Sequence, residues 1–310
     1  MKKIIFFLCF IPFSNLHGQK EHAILVFGGK HGWIGQKIVN LFKEHGHNPV
    51  CAESRLENRE SITQEIERIK PGFIINAAGI IGNPNVDWCE SHKPETIRAN
   101  VIGTLNLADI AYQLGIHLTN ISTGCIYEYD EQHPMHIGKG FTEEEEPNFN
   151  GSFYSRSKIL MEKLILEYPN VLNLRVKMPI SIDLEHGFVG KIIKYKKLIN
   201  IPNSLCILDD LLPIAIEMTL RGFKGNYNFV NPGTLSHNEV MELYKEIIDP
   251  TIAYENFTLE EQDRILKARR ANAELSTVKL LKDFPHIPHV KDSLRKILKI
   301  IKNERTKHAE

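Results

Sequence analysis

The sequence predicts an α/β chain: a doubly wound parallel sheet with helices on both faces, followed by a smaller carboxy-terminal lobe. Three observations carry that expectation. Short apolar runs alternate with helix-patterned segments from residue 23 to residue 176. The first run opens onto closely spaced glycines, where a buried parallel strand hands over to a helix. After Pro179 the alternation loosens and helical patterns dominate.

The elements follow in order. Residues 23–27 are a continuous apolar run and form the first strand. Residues 32–45 set Ile34, Ile38, Leu41 and Phe42 on one helical face. Residues 49–52 are a second strand, and 59–70 an amphipathic helix stopped by Pro71. Residues 73–77 form the third strand, and one long helix spans 94–114 before Gly115. The fourth strand is 117–122, the next helix 152–167 and the fifth strand 171–176. Further on, helices are expected at 188–197, 209–221, 236–248 and 259–270, with a strand at 226–230 returning to the sheet. This gives a leader at 1–20, a nucleotide-binding domain at 21–178 with a returning segment near 205–234, and a substrate lobe from 179–204 and 235–310.

Composition excludes several classes. The 310 residues are 42% apolar and 25% charged, as in an ordinary globular chain. Lys plus Arg (38) balances Asp plus Glu (38), so no chain-wide basic field invites nucleic acid. Five cysteines without a C-x-x-C pair give no zinc knuckle or disulfide framework, and the histidines show no helical ligand spacing, so no metal is expected. The apolar run at 4–13 is shorter than the ~20 residues a membrane span needs. With Met1-Lys2-Lys3 before it and Gly18 after it, the run imitates a secretory leader. A strand beginning at Ala23 and N-x-[ST] triplets at Asn120, Asn150 and Asn256 weigh against export, so a cytoplasmic enzyme is expected, with secretion the rival reading. The acidic run Glu143 to Glu146 reads as a solvated loop.

The chemistry starts at the first strand. Gly29, Gly32 and Gly35 stand three apart at the strand-to-helix junction, with Trp33 and Ile34 between them. Missing side chains there let backbone N–H groups approach a pyrophosphate at a helix N-terminus, which makes the fold Rossmann-like. Beyond the second strand, Glu53-Ser54-Arg55 carries two opposed signals. An acidic group suits a ribose 2′-hydroxyl, whereas Arg55 with the Ser54 hydroxyl suits a 2′-phosphate. The expectation is NADPH, with NADH left open by Glu53. Ala77 and Ala78 offer a close backbone surface on the cofactor side, where Asn100 is also placed. Tyr154 and Lys158, four apart, share one helix face, and a neighbouring ammonium lowers a phenol's pKa. Thr123, after the fourth strand, shares the substrate oxygen with Tyr154.

These marks resemble the extended short-chain dehydrogenase/reductases. Within them the chain resembles the dTDP-4-dehydrorhamnose reductases, and more closely the eukaryotic UDP-4-keto-6-deoxy-D-glucose 3,5-epimerase/4-reductases that complete UDP-L-rhamnose synthesis. The resemblance rests on Gly32-Trp33-Ile34-Gly35, Ser54-Arg55-Leu56-Glu57-Asn58-Arg59, the block from Asn83 to Lys93, Thr123-Gly124-Cys125-Ile126, Gly151-Ser152-Phe153-Tyr154-Ser155 and Arg175-Val176-Lys177-Met178-Pro179. It implies a bifunctional enzyme in which Cys125 and Lys191 are the epimerase acid/base pair and Tyr154, Lys158 and Thr123 serve reduction. It also implies substrate contacts at Asn83, Asp87, Trp88, Glu128, Asn148, Ser152 and Asn203. The implied partners are a UDP-sugar, an upstream UDP-glucose 4,6-dehydratase and a second copy in a homodimer. Two alternatives stand beside this reading: a reductase acting only on an already epimerised sugar, and a non-catalytic NADP-binding regulatory subunit.

Overall fold

The structure, a computed structural model, describes residues 22–184 and 186–309; the leader lies outside them. The first half runs β1 (Ile24–Phe27), α1 (Trp33–Glu44), β2 (Pro49–Cys51), α2 (Arg59–Ile69), β3 (Phe73–Asn76), α3 (Trp88–Ser91), α4 (Lys93–Ile97), a π-helical turn (Arg98–Ile102), α5 (Gly103–Gln113), β4 (His117–Thr123), α6 (Phe153–Ile165) and β5 (Val171–Val176). The second half runs β6 (Pro179–Ile180), α7 (Gly187–Ile192), β7 (Lys197–Leu198), β8 (Cys206–Ile207), α8 (Leu208–Leu220), β9 (Gly225–Asn228), α9 (His237–Ile247), β10 (Glu255–Asn256), α10 (Leu259–Ile265), α11 (Val278–Asp283) and α12 (Val290–Ala309).

The main sheet has the order β2-β1-β3-β4-β5-β9 and every pairing in it is parallel. This is the doubly wound sheet that the alternation predicts. Chain order reverses between β1 and β3, the switch point at which such sheets open a crevice for ligands. Alternate residues of β1 go to opposite faces, as the strand period requires. Ile24 and Val26 pack with Ile38 and Phe42 of α1 and Leu211 of α8, whereas Leu25 and Phe27 pack with Ile62 of α2, Leu107 of α5 and Met161 of α6. A separate apolar cluster joins Val189, Leu205, Val240, Leu243, Leu294 and Leu298 in the carboxy-terminal part.

One polar row crosses the sheet. Asn76, Asn120, Asn173 and Asn226 are register partners on β3, β4, β5 and β9. Asn76 donates to Asn120 at 2.9 Å, Asn120 to Asn173 at 2.7 Å and Asn173 to Asn226 at 2.6 Å. At one end the Asn76 side-chain oxygen accepts from the Ala78 amide. At the other end Glu162 of α6 accepts from Asn173 at 2.9 Å and takes the guanidinium of Arg175 at 2.6 Å. Every one of these side chains is buried, and the chain of mutual bonds is what makes that burial tolerable.

Several elements depart from expectation. The helix expected at 94–114 is broken into α4, a π-helical turn and α5, and the turn is where the buried Asn100 side chain leaves for Ile80. The segment expected as a helix at 188–197 stops at Ile192, and Lys197–Leu198 pairs instead with Glu255–Asn256. Helix α10 ends at Ile265 because the following amides find tertiary partners: Lys267 and Ala268 donate to Asp87, and Arg269 to the carbonyl of Gly151. The acidic run is not wholly solvated. Glu143 is buried and accepts from the Asn228 amide at 2.9 Å.

Candidate active site

The glycine junction is shaped by close approach. Gly28 has φ +80°, and a Cβ on it would lie 2.8 Å from the carbonyl carbon of Ala77. A Cβ on Gly35 would lie 2.3 Å from the Gly28 carbonyl oxygen. Only glycine fits these two places. Helix α1 starts at Trp33 from Gly32, and no side chain caps it, so its first amides face the crevice with the positive end of the helix dipole. Trp33 also ties this loop to the carboxy-terminal part. Its indole N–H donates to Asp183 at 2.9 Å, its ring stacks on His186, and Lys37 pairs with Asp183 at 2.7 Å.

Past β2, Glu65 of α2 fixes the loop by accepting from the amides of Glu53 and Ser54 at 2.9 and 3.0 Å. Arg55 and Glu53 then stand exposed, loosely paired with Glu57 at 3.5 Å and Lys30 at 3.8 Å. The Ser54 hydroxyl donates to the Ser61 carbonyl. A dinucleotide fits this half: the cradle is one that any Cβ would fill, the helix end is uncapped, and an exposed guanidinium stands by the second strand. Asn100, expected on the cofactor side, is tied to the backbone. It is fully buried and both ends of its amide hold the backbone of Ile80 at 2.8 Å, so it shapes the loop beside the crevice.

The reactive side chains gather at the carboxyl ends of β4 and β5. Helix α6 begins at Ser152, whose hydroxyl caps the Ser155 amide at 3.1 Å. The Ser155 hydroxyl in turn donates to the carbonyl of Cys125 at 2.6 Å. That bond fastens the first turn of α6 to the loop after β4, and it sets Tyr154 opposite Thr123. Burial pushes the Tyr154 phenol well above its ordinary pKa, Cys125 adds to the rise, and a hydrogen bond to Thr123 opposes it. The lowering expected from Lys158 is therefore not what prevails. Lys158 is buried, and burial pulls it down to about 8 against the opposing charge of Glu162. A phenol kept protonated is the form that a proton donor needs. The Cys125 amide donates to the Thr123 hydroxyl at 3.1 Å.

Lys191, on α7, is exposed; its carbonyl accepts from the Lys194 amide at 3.1 Å, and its side chain forms no hydrogen bond or ion pair among the described residues. It is not brought against Cys125 by any contact of this structure. The other side chains implied for substrate are mostly engaged with the chain itself. Asp87 pairs with Arg270 at 2.8 Å and accepts the amides of Lys267 and Ala268. Burial would raise its pKa, but Arg270 and those amides outweigh burial and hold it low. Trp88 stacks on His92 at 3.9 Å, and Glu128 pairs with Arg269 at 2.8 Å. Asn148 bridges the Glu128 backbone and Asp130. Asn83, just before Pro84, is exposed. Asn203 is fully buried, accepts from Ala273 and donates to Asn272; these bonds anchor the chain.

Those bonds reveal a part that sequence reasoning missed. Residues 268–276 run extended across the site as a strap. Ala271 accepts from Lys177 at 2.8 Å, Asn272 from the Tyr129 amide, and Leu275 bridges to Phe141. Arg269, Arg270 and Lys177 were hidden in the sequence because their partners lie 94 to 183 positions away.

Comparison with known proteins places this geometry. Residues 22–210 match the family model described as the RmlD substrate binding domain. A bifunctional dTDP-4-dehydrorhamnose 3,5-epimerase/dTDP-4-dehydrorhamnose reductase of Arabidopsis thaliana is 52% identical over 92% of this chain and 95% of its own length. A trifunctional UDP-glucose 4,6-dehydratase/UDP-4-keto-6-deoxy-D-glucose 3,5-epimerase/UDP-4-keto-L-rhamnose-reductase of the same plant is 50% identical over 91% of this chain, which spans 43% of that longer protein. Among solved structures, the UDP-rhamnose synthase of Acanthamoeba polyphaga mimivirus superposes with a TM-score of 0.86 at 36% identity, over 90% of this chain and 99% of that one. A dTDP-4-dehydrorhamnose reductase of Bacillus anthracis, solved with NADP, shares the fold with a TM-score of 0.76 at 17% identity, over 90% of this chain and 98% of that one.

Proposed function

Because the chain belongs to the family of the RmlD substrate binding domain, we propose that it is a bifunctional 3,5-epimerase and 4-reductase that converts UDP-4-keto-6-deoxy-D-glucose to UDP-L-rhamnose. It is an NADPH-dependent oxidoreductase and isomerase of the rhamnose-forming kind. The observation that carries the bifunctional reading is the grouping of Thr123, Cys125 and Tyr154 at one strand end, with Lys158 a turn behind Tyr154. A plain reductase has no use for a thiol there.

The ketone at carbon 4 acidifies the protons on carbons 3 and 5. Cys125 and Lys191 remove and return protons on opposite faces, while Tyr154 and Thr123 hold the enolate oxygen. When bound, NADPH supplies the hydride for carbon 4. Tyr154 then gives its proton to the carbon-4 oxygen, and the Lys158 ammonium steadies the phenolate left behind. Gly29, Gly32, Gly35, Trp33, Ile34, Ser54, Arg55, Ala77 and Ala78 would hold the cofactor. Asn83, Asp87, Trp88, Glu128, Asn148 and Ser152 border the sugar side. We assign residues 21–178 to the cofactor domain and 179–204 with 235–310 to the substrate lobe.

Three further assignments belong to this reading. The substrate comes from an upstream UDP-glucose 4,6-dehydratase. The enzyme is a homodimer through α5 and α6, which leave Tyr112, Leu160 and Leu164 exposed. It works in the cytoplasm: Asn120 of one glycosylation triplet is buried in the asparagine row, where no glycan fits.

The test is incubation with UDP-4-keto-6-deoxy-D-glucose and NADPH in deuterated water, followed by NMR of the nucleotide sugar. UDP-L-rhamnose deuterated at carbons 3 and 5 is expected, and Cys125→Ala abolishes the exchange. Reduction without deuterium there overturns the epimerase half. Cofactor binding without turnover points to a regulatory subunit.

A further inference from the structure

We propose that Glu90 is a positioning residue for Tyr154: its carboxylate holds the first backbone amide of α6, and that hold aims the phenol at the carbon-4 oxygen. The proposal rests on the reading above, in which Tyr154 is the proton donor.

The first turn of a helix leaves its amides without partners inside the helix. A capping side chain serves the second or third of them and not the first. In α6 the cap follows that rule, with Ser152 accepting from Ser155 at 3.1 Å. The amide of Phe153, which opens the helix directly before Tyr154, needs a partner from elsewhere. It donates to the Glu90 carboxylate at 2.6 Å, from 63 positions away. A carboxylate that accepts from an amide at a helix N-terminus makes a charge-assisted bond and gains from the helix dipole.

Glu90 is itself held in place. It stands on α3, a helix of four residues that is too short to fix its own position. Tertiary bonds do so instead. Asp87, three residues before Glu90, accepts the amides of Lys267 and Ala268 and pairs with Arg270 at 2.8 Å. Cys89 beside it is buried, and α3 and α4 both pack on α6. Lys93, at the start of α4, places its amino group 5.5 Å from the centre of the Phe153 ring. The strap completes the circuit, because the Arg269 amide donates to the Gly151 carbonyl at 3.0 Å, two residues before Phe153. Three segments remote in sequence thus meet around the residue that precedes Tyr154.

Two ties then direct the first turn of α6. The Ser155 hydroxyl fastens it to the loop after β4, and Glu90 fastens it to α3. With one tie the turn is free to swing about it; with two it is not. Misplacing a reacting group by about 1 Å costs on the order of 10²-fold in rate. The Glu90 carboxylate is spent on the amide, so it acts through Tyr154 and not on the sugar.

The test is steady-state reduction of UDP-4-keto-6-deoxy-D-glucose by Glu90→Ala and Glu90→Gln, each assayed well below its thermal midpoint, with NADPH affinity measured by fluorescence titration. In Glu90→Ala kcat falls about tenfold or more, while KM for the sugar nucleotide and the NADPH affinity stay close to those of the wild type. Glu90→Gln keeps an oxygen for the Phe153 amide and restores kcat to within about threefold of the wild type. An unchanged kcat in Glu90→Ala overturns the proposal. A Glu90→Gln enzyme as slow as Glu90→Ala also overturns it, because the charge and not the hold then matters, and so does a loss of NADPH affinity that matches the loss of kcat. If Glu90→Ala fails to fold, Glu90→Asp takes its place. Its carboxylate is one methylene short of the amide, so it is slower than Glu90→Gln, and an Asp variant as fast as the Gln variant overturns the proposal. Failure of the underlying reading shows elsewhere, in a wild type that reduces no sugar nucleotide.

Discussion

The floor under α6 and the rim formed by the strap hold the same pocket in opposite ways. Under α6, Glu162, Arg175 and the asparagine row are buried and bonded almost entirely to one another. At the rim, Asp87–Arg270 and Glu128–Arg269 join residues 183 and 141 positions apart through partly or largely exposed ion pairs. Buried networks are expensive to break because each partner left behind keeps its desolvation cost. Exposed pairs are worth little and yield to a competing ligand or to salt. On the proposed function, the proton-transfer side is thus preorganised, while the side assigned to the sugar is held by charges that a nucleotide-sugar would displace.

The largest break in this comparison is expected from Glu162→Gln. It strands the buried Arg175 and costs about 3–5 kcal/mol, seen as a clear fall in thermal midpoint. Tyr154→Phe, by contrast, lowers kcat for reduction by roughly 10²–10⁴-fold with a smaller change in that midpoint, since it gives up the bond to Thr123 but strands no buried charge. The floor also has a pH signature. Lys158 carries its proton below about 8; as pH rises through that value the ammonium is lost, so kcat falls above about pH 8 and is insensitive to Lys158 below it. A pH–rate profile that stays flat to pH 10 contradicts this. The smallest effect is expected at the rim. Asp87→Asn changes stability by no more than about 1 kcal/mol and shifts KM for the sugar nucleotide rather than kcat, an effect that steady-state kinetics in low and high salt will separate.

The same contrast separates what could be read in the sequence from what could not. Tyr154 and Lys158 were legible because one helical turn fixes their relation, and the glycine junction because three positions in eight carry it. The order of strands followed from alternation. The asparagine row was not legible: nothing local marks these Asn residues as partners, and only the register places Asn120 opposite Asn76 and Asn173. A hint existed, since each of the four strands carries at least one side-chain amide. Lys177 had no local signal at all, because its acceptor, Ala271, lies 94 positions away, just past the segment that helical periodicity assigned to a helix at 259–270. There the amides of Lys267 to Arg269 preferred Asp87 and Gly151 to a further turn of helix.

The strap has a consequence for the order in which the pocket comes into being. Lys177 leaves the ribosome 94 residues before Ala271, its hydrogen-bond acceptor. At about 5–20 residues per second, that interval lasts roughly 5–20 s. During it the sheet from β1 to β5 is already complete in sequence, yet the Lys177 amine has no carbonyl and Asp87 no arginine. The nascent chain can fold its nucleotide-binding half first and still be unable to act on a sugar. Catalytic competence arrives late, with the passage of a few extended residues.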